Sequence, residues 1–290
     1  MSEALERFRS RGWLRFPVEP ALRRWAEHAR EAARVATAAP ANAHWLRCGG
    51  TWFVGVDALP NDAHGAIDGG PPLRCSALDL VRESLPGGTL PLHRAQLSVC
   101  YSGYPKPSEG ESEAAFRFRV MRDAAHVDGL LLGDPQRRRF LREPHAWILG
   151  IGLETPAPGA SPTVLWDGSH QGMTQAFTAA LGPIAPDAWS QTDITAPYQQ
   201  ARREAFTRCE RIEMPLGCGE ALLVHRHLLH GVAPWQAEPA GRDRPRAVAW
   251  FRPQFRDIAS WLWSEGESVS PRGTSRRGTL GLASGSQPWS

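Results

Sequence analysis

The uncharged stretch 145–153, His-Ala-Trp-Ile-Leu-Gly-Ile-Gly-Leu, is the most strand-like segment of the chain and constrains the fold more than any other feature. It has company. After Pro91 the same extended texture returns at residues 95–101, Thr163–Trp166, Arg211–Met214, Ala221–Val224 and Arg246–Phe251, and the alternation at 116–121 reads as a further strand. Turn chemistry separates them, as in Gly133-Asp134-Pro135 and Pro215-Leu216-Gly217-Cys218-Gly219. Short strands with frequent turns predict a β-sandwich or barrel of the jelly-roll, cupin-like kind.

Ahead of this core the texture is helical. Residues 2–16 read as a short helix, a turn at Arg11-Gly12 and an extended Trp13–Phe16. Pro20 suits a first helical position, and Leu22, Trp25, Ala26, Ala29, Ala33 and Ala36 recur at the i, i+3, i+4, i+7 spacing of a helix with one face on a core. A strand at 52–56 and a helix over Ser76–Ser84 follow. Residues 171–210 read as irregular helix broken by Pro183, Pro186 and Pro197. The expected organisation is one mainly β domain over residues 1–265, with a helical N-terminal part at about 1–90, a jelly-roll core at about 91–256, and a loosely docked tail at 266–290, where Ser, Gly and Arg leave little to bury.

Composition excludes several classes of function. A net charge of +3 in 290 residues, spread among nearly equal numbers of acids and bases, is no nucleic-acid footprint. Five cysteines without a Cys-x-x-Cys pair argue against a disulfide framework and a zinc ribbon, and suit a reducing compartment. The N-terminus is charged from the outset and no apolar run approaches the ~20 residues of a membrane span, so a cytoplasmic protein with no membrane partner is expected. Lys106 is the only lysine; positive charge is carried by arginine, whose planar fork suits carboxylates and phosphates.

The chemistry-bearing motif is His126-Val127-Asp128-Gly129. On an extended strand, side chains at i and i+2 leave the same face, so an imidazole and a carboxylate would point together. They are two of the three ligands of a 2-His-1-carboxylate site for non-haem Fe(II). Composition alone supplies about 0.4 chance copies of such a motif, so its value rests on a third ligand elsewhere. Val224-His225-Arg226-His227-Leu228-Leu229-His230-Gly231 supplies candidates: His225 and His227 share one strand face, and His230 lies against a glycine where the backbone can bend towards a site. A zinc site that acts as a Lewis acid is open to the same residues.

His126-x-Asp128, followed 104 residues later by His230-Gly231 and then by an arginine on the next strand, resembles the phytanoyl-CoA dioxygenase family of Fe(II)/2-oxoglutarate oxygenases. Further likeness lies in Arg11-Gly12-Trp13-Leu14-Arg15-Phe16-Pro17, in Gly168-Ser169-His170-Gln171-Gly172 and in Gly219-Glu220 ahead of the last histidines, so that it spans residues 5–255. The resemblance implies that His126, Asp128 and His230 bind Fe(II), and that Arg246, or Arg244 beside it, anchors the far carboxylate of 2-oxoglutarate as cosubstrate. It places His225 in the cosubstrate pocket, with a buried core histidine as the equal alternative. Asp167 stands where the family often has proline and is read as a turn cap. Because the acid Asp128 is present, hydroxylation of a small molecule is implied over halogenation. The basic run Arg137-Arg138-Arg139 with Arg142 would suit an anionic substrate, against a plain solvated loop. The alternatives are a non-redox cupin-like isomerase or hydrolase, and a jelly roll that binds a small molecule without turnover.

Overall fold

The computed structural model describes residues 2–133, 137–238 and 245–262. Helix α1 (Glu3–Arg11) starts at a Ser2 cap and stops at Gly12, whose φ of 79° turns the chain into β1 (Trp13–Phe16). Helix α2 (Pro20–Ala38) buries the six residues that its spacing predicted. Next come β2 (Leu46–Arg47), β3 (Trp52–Gly55), α3 (Ser76–Ser84), β4 (Gln96–Cys100), α4 (Glu113–Met121), β5 (Leu130–Leu132), β6 (Arg139–Leu141), β7 (Ile148–Gly152) and β8 (Thr163–Trp166). The chain closes with α5 (Ser169–Leu181), α6 (Thr195–Arg208), β9 (Arg211–Met214), β10 (Ala221–Val224), β11 (His230–Val232) and β12 (Arg246–Phe251).

A seven-stranded sheet runs β1-β10-β7-β12-β4-β3-β2 and a three-stranded sheet runs β11-β8-β9, with every pairing antiparallel. Their facing sides share a core of Trp13, Ile148, Leu165, Leu222, Val248 and Trp250. On β10 and β12 the alternate residues Ala221, Leu223, Ala247, Ala249 and Phe251 face the other way, onto α2 and α3. The outer side of the small sheet, through Val164 and Trp166, packs on α5 and α6. Two sheets between two helical layers result, and the period of two decides which residues enter the space between the sheets. Trp25 is among the largest fully buried side chains of the helical layer, and truncating it to Ala costs about 3–5 kcal/mol.

Four local expectations are corrected. Residues 116–121 form the end of α4, because Ser112 caps it through Ala115 and Glu113 pairs with Arg117 one turn on; the Phe-Arg alternation only mimics a strand. Pro197 lies in the first turn of α6, where a missing N–H costs no helical bond, and so does not break it. His225 and His227 share no strand face, since β10 ends at Val224 and a turn follows. The basic run does not lie wholly in a loop: Arg139 opens β6, where Phe140 and Leu141 are buried. The proposed tail at 266–290 and Arg244 fall outside the described residues. Among those described, no helix is long and apolar enough to cross a membrane.

Candidate metal centre

His126 and His230 face each other across one antiparallel bridge and exchange both backbone hydrogen bonds, at 2.8 and 3.0 Å. Gly231 permits this approach: a Cβ there would stand 2.1 Å from the carbonyl oxygen of Asp123. Asp128 does not reach the site along a pleated strand. It sits in a turn closed by Gly129, whose φ is 84° and where a Cβ would meet the Glu143 carbonyl oxygen at 2.1 Å.

Both rings turn Nδ1 to the backbone carbonyl two residues earlier. His126 Nδ1 donates to Ala124 O at 2.9 Å and His230 Nδ1 donates to Leu228 O at 2.8 Å. A carbonyl can only accept, so in the neutral ring the proton is on Nδ1 and the lone pair is on Nε2. Those Nε2 atoms lie 3.2 Å (His126) and 3.7 Å (His230) from Asp128 Oδ1. The three donors fall within 4.8 Å of one another, the one group of this kind among the described residues. Burial raises the Asp128 carboxyl, but Arg252 and the two histidines outweigh it and hold the acid well below its ordinary value. Burial lowers His230, and the bond to Asp128 more than compensates, so His230 is raised. Two imidazole lone pairs and one ionised carboxylate on one side of a point fit a divalent non-haem metal, and fix three neighbouring coordination positions.

The triad opens on a cavity of about 160 Å³ walled by Trp52, Ile148 and Trp250, with Gln96, Ser98 and Thr163 as polar lining. Behind Ser98 and Thr163 lies Arg246, which donates to Ser98 Oγ at 2.8 Å and Thr163 Oγ1 at 2.6 Å. It is buried and has no acidic partner among the described residues. Burial lowers its pKa, which measures the cost of keeping a guanidinium there.

His225 does not line this cavity. It stands with His170 and His227 at ring separations of 4.8 and 5.2 Å, against a separate cavity of about 1050 Å³. Asp167 caps no turn; its Oδ1 accepts from Arg11 Nε at 2.9 Å and Trp13 Nε1 at 2.6 Å, tying the N-terminal turn to the start of α5. Trp250 lines the triad cavity, whereas Trp147 lines the larger cavity and Trp166 belongs to the core. Sequence reasoning missed Arg252, which lines the triad cavity and reaches Asp128 Oδ2 at 3.3 Å. Its signal was present, since Arg246, Val248, Trp250 and Arg252 continue one face at steps of two.

No family model matches the chain, and no curated protein matches it in sequence. Solved structures similar to it include EctD from S. alaskensis with bound Fe, at TM-score 0.46 and 15% identity over 87% of this chain and 76% of that one. SnoN, a non-heme alpha ketoglutarate dependent epimerase from nogalamycin biosynthesis, gives TM-score 0.44 and 15% identity over 94% and 90%. SnoK, a non-heme alpha ketoglutarate dependent carbocyclase from the same biosynthesis, gives TM-score 0.42 and 14% identity over 87% and 83%.

Proposed function

We propose that this protein is an Fe(II)- and 2-oxoglutarate-dependent dioxygenase that hydroxylates an unactivated C–H bond of a small molecule, releasing succinate and CO2. In this reading the two facing sheets are a jelly roll of the phytanoyl-CoA dioxygenase kind. One observation carries the reading: His126 Nε2, Asp128 Oδ1 and His230 Nε2 converge on a cavity that has a buried arginine, Arg246, with no acidic partner among the described residues, behind its wall. A non-redox metal enzyme would use the same triad but gives Arg246 no task.

Each residue then has a defined part. His126 and His230 hold their lone pairs inward because their Nδ1 protons are engaged by Ala124 and Leu228. Asp128 supplies the negative charge that favours a dication and completes the facial set. Arg246, pre-set by Ser98 and Thr163, offers its fork to the distal carboxylate of 2-oxoglutarate. Trp52, Ile148 and Trp250 keep water from the reacting carbon. With the metal and 2-oxoglutarate bound, the centre supplies oxidative decarboxylation and O2 activation.

The test is spectroscopic. Fe(II) and 2-oxoglutarate added to anaerobic apoprotein should give a visible metal-to-ligand charge-transfer band, and Asp128→Ala should abolish it. No band, or a band that survives in Asp128→Ala, would count against the reading.

A further inference from the structure

The two oxygens of Asp128 face different partners. Oδ1 is turned to His126 and His230, at 3.2 and 3.7 Å, whereas Oδ2 accepts from Arg252 Nη1 at 3.3 Å. Arg252 is buried, and Asp128 is its only ion-pair partner among the described residues. Its Nε–H meets no hydrogen-bond acceptor. A buried guanidinium with a single ionic contact is costly, and the contact it makes is to the carboxylate of the triad.

The surroundings hold that arginine from behind. Its backbone carbonyl accepts from His145 Nδ1 at 2.8 Å, and His145 Nε2 meets Glu143 Oε2 at 3.2 Å. Glu143 and Arg142 in turn donate their backbone N–H groups to the carbonyl of Gly129, at 3.2 and 2.9 Å. Gly129 is the residue after Asp128. The contacts therefore form a closed circuit, Asp128 to Arg252 to His145 to Glu143 to Gly129 and back. It ties both the side chain and the turn of the acid to the end of β12.

We propose that Arg252 is a positioning residue that restricts Asp128 to coordination through Oδ1 alone. The inference rests on the triad being a metal site. Six-coordinate geometry less three protein donors leaves three positions, which a bidentate cosubstrate and O2 both need. A free aspartate can chelate through both oxygens and would take one of them. Arg252 occupies the second oxygen with a charge-assisted hydrogen bond, so the position stays open.

The probe is Mn(II) alone, without cosubstrate, and the readout is the number of metal-bound exchangeable waters by water-proton relaxation or pulsed EPR. Wild type should retain about three waters, Arg252→Met about two, and Arg252→Lys should move back towards three. Arg252→Met that binds Mn(II) and keeps the wild-type water count overturns the proposal. Should Arg252→Met fail to fold by circular dichroism, Arg252→Gln carries the same comparison. Failure of the underlying metal site is a different result: wild type would then bind no Mn(II), or Asp128→Ala would bind it equally well.

Discussion

His126 and His230 meet beside a carboxylate; His170, His225 and His227 meet beside an arginine. The second group is the denser in histidine and lines the larger cavity. Yet each ring has one nitrogen engaged by the protein and no carboxylate completes the group: His170 Nε2 bonds Arg9 O at 3.0 Å, His227 Nδ1 bonds Thr174 Oγ1 at 2.7 Å, and His225 Nδ1 accepts from the His227 N–H at 3.1 Å. Burial pushes His225 and His227 well below the ordinary imidazole value, and Arg226 adds to it. Arg226 itself is pushed down to about 10 by burial and is held by the carbonyls of Trp261 and Ala146. In the first group the negative charge of Asp128 reverses the effect of burial on His230. Histidine density therefore does not make a metal centre here. Convergent lone pairs and a neighbouring negative charge are what the proposed metal centre rests on.

The largest expected contrast is in metal affinity. Asp128→Ala should weaken Fe(II) or Co(II) binding by on the order of 100-fold or more in calorimetry, whereas His225→Gln should leave it within about twofold. If the His225 variant lost the metal as well, the two groups would be one site. Arg246→Ala comes next: it should weaken 2-oxoglutarate by ~100-fold while sparing the metal, as expected when one partner of a buried charge pair is removed. Unchanged 2-oxoglutarate affinity would move that role to Arg244.

Stability separates the groups by pH. A histidine whose folded pKa is depressed binds its proton only in the unfolded chain, so its contribution is whole above about 6.5 and declines as the pH falls below that value. His93, lowered to about 4 by burial, works in the same direction. Unfolding free energy measured in denaturant should fall on acidification from neutral pH. The double variant His225→Gln/His227→Gln should flatten that fall by up to about 1.4 kcal/mol per pH unit for each histidine removed. An unaltered slope would mean that these rings already carry protons in the folded state. The smallest effect is Thr174→Val, which strips His227 Nδ1 of its partner and should cost about 1 kcal/mol without touching metal affinity.

How much of this was legible in the sequence depended on the range of the interaction. Helix α2 could be read residue by residue, because its buried face follows from a local period. The strands Thr163–Trp166 and Arg246–Phe251, buried on both faces, were legible as short extended runs between turns, with bounds as expected. The triad was legible through its company along the chain, and its members meet as that pattern required. What escaped were contacts between distant segments. Arg252 bonds an acid 124 positions away, and nothing local to β12 marks its guanidinium as a partner of Asp128. The turn at Gly129 escaped too, since the need for glycine comes from the Glu143 carbonyl packed against it. The resemblance leaves His225 between the cosubstrate pocket and the core, and the turn after Val224, which decides against the first by sending His225 and His230 to different cavities, is again set by packing beyond the local pattern.

The measurement that bears most directly on this account is an anomalous difference map from crystals soaked in Mn(II). It should show one peak bounded by His126 Nε2, Asp128 Oδ1 and His230 Nε2, and none among His170, His225 and His227. A peak in the second group, or no peak at the triad, would contradict it.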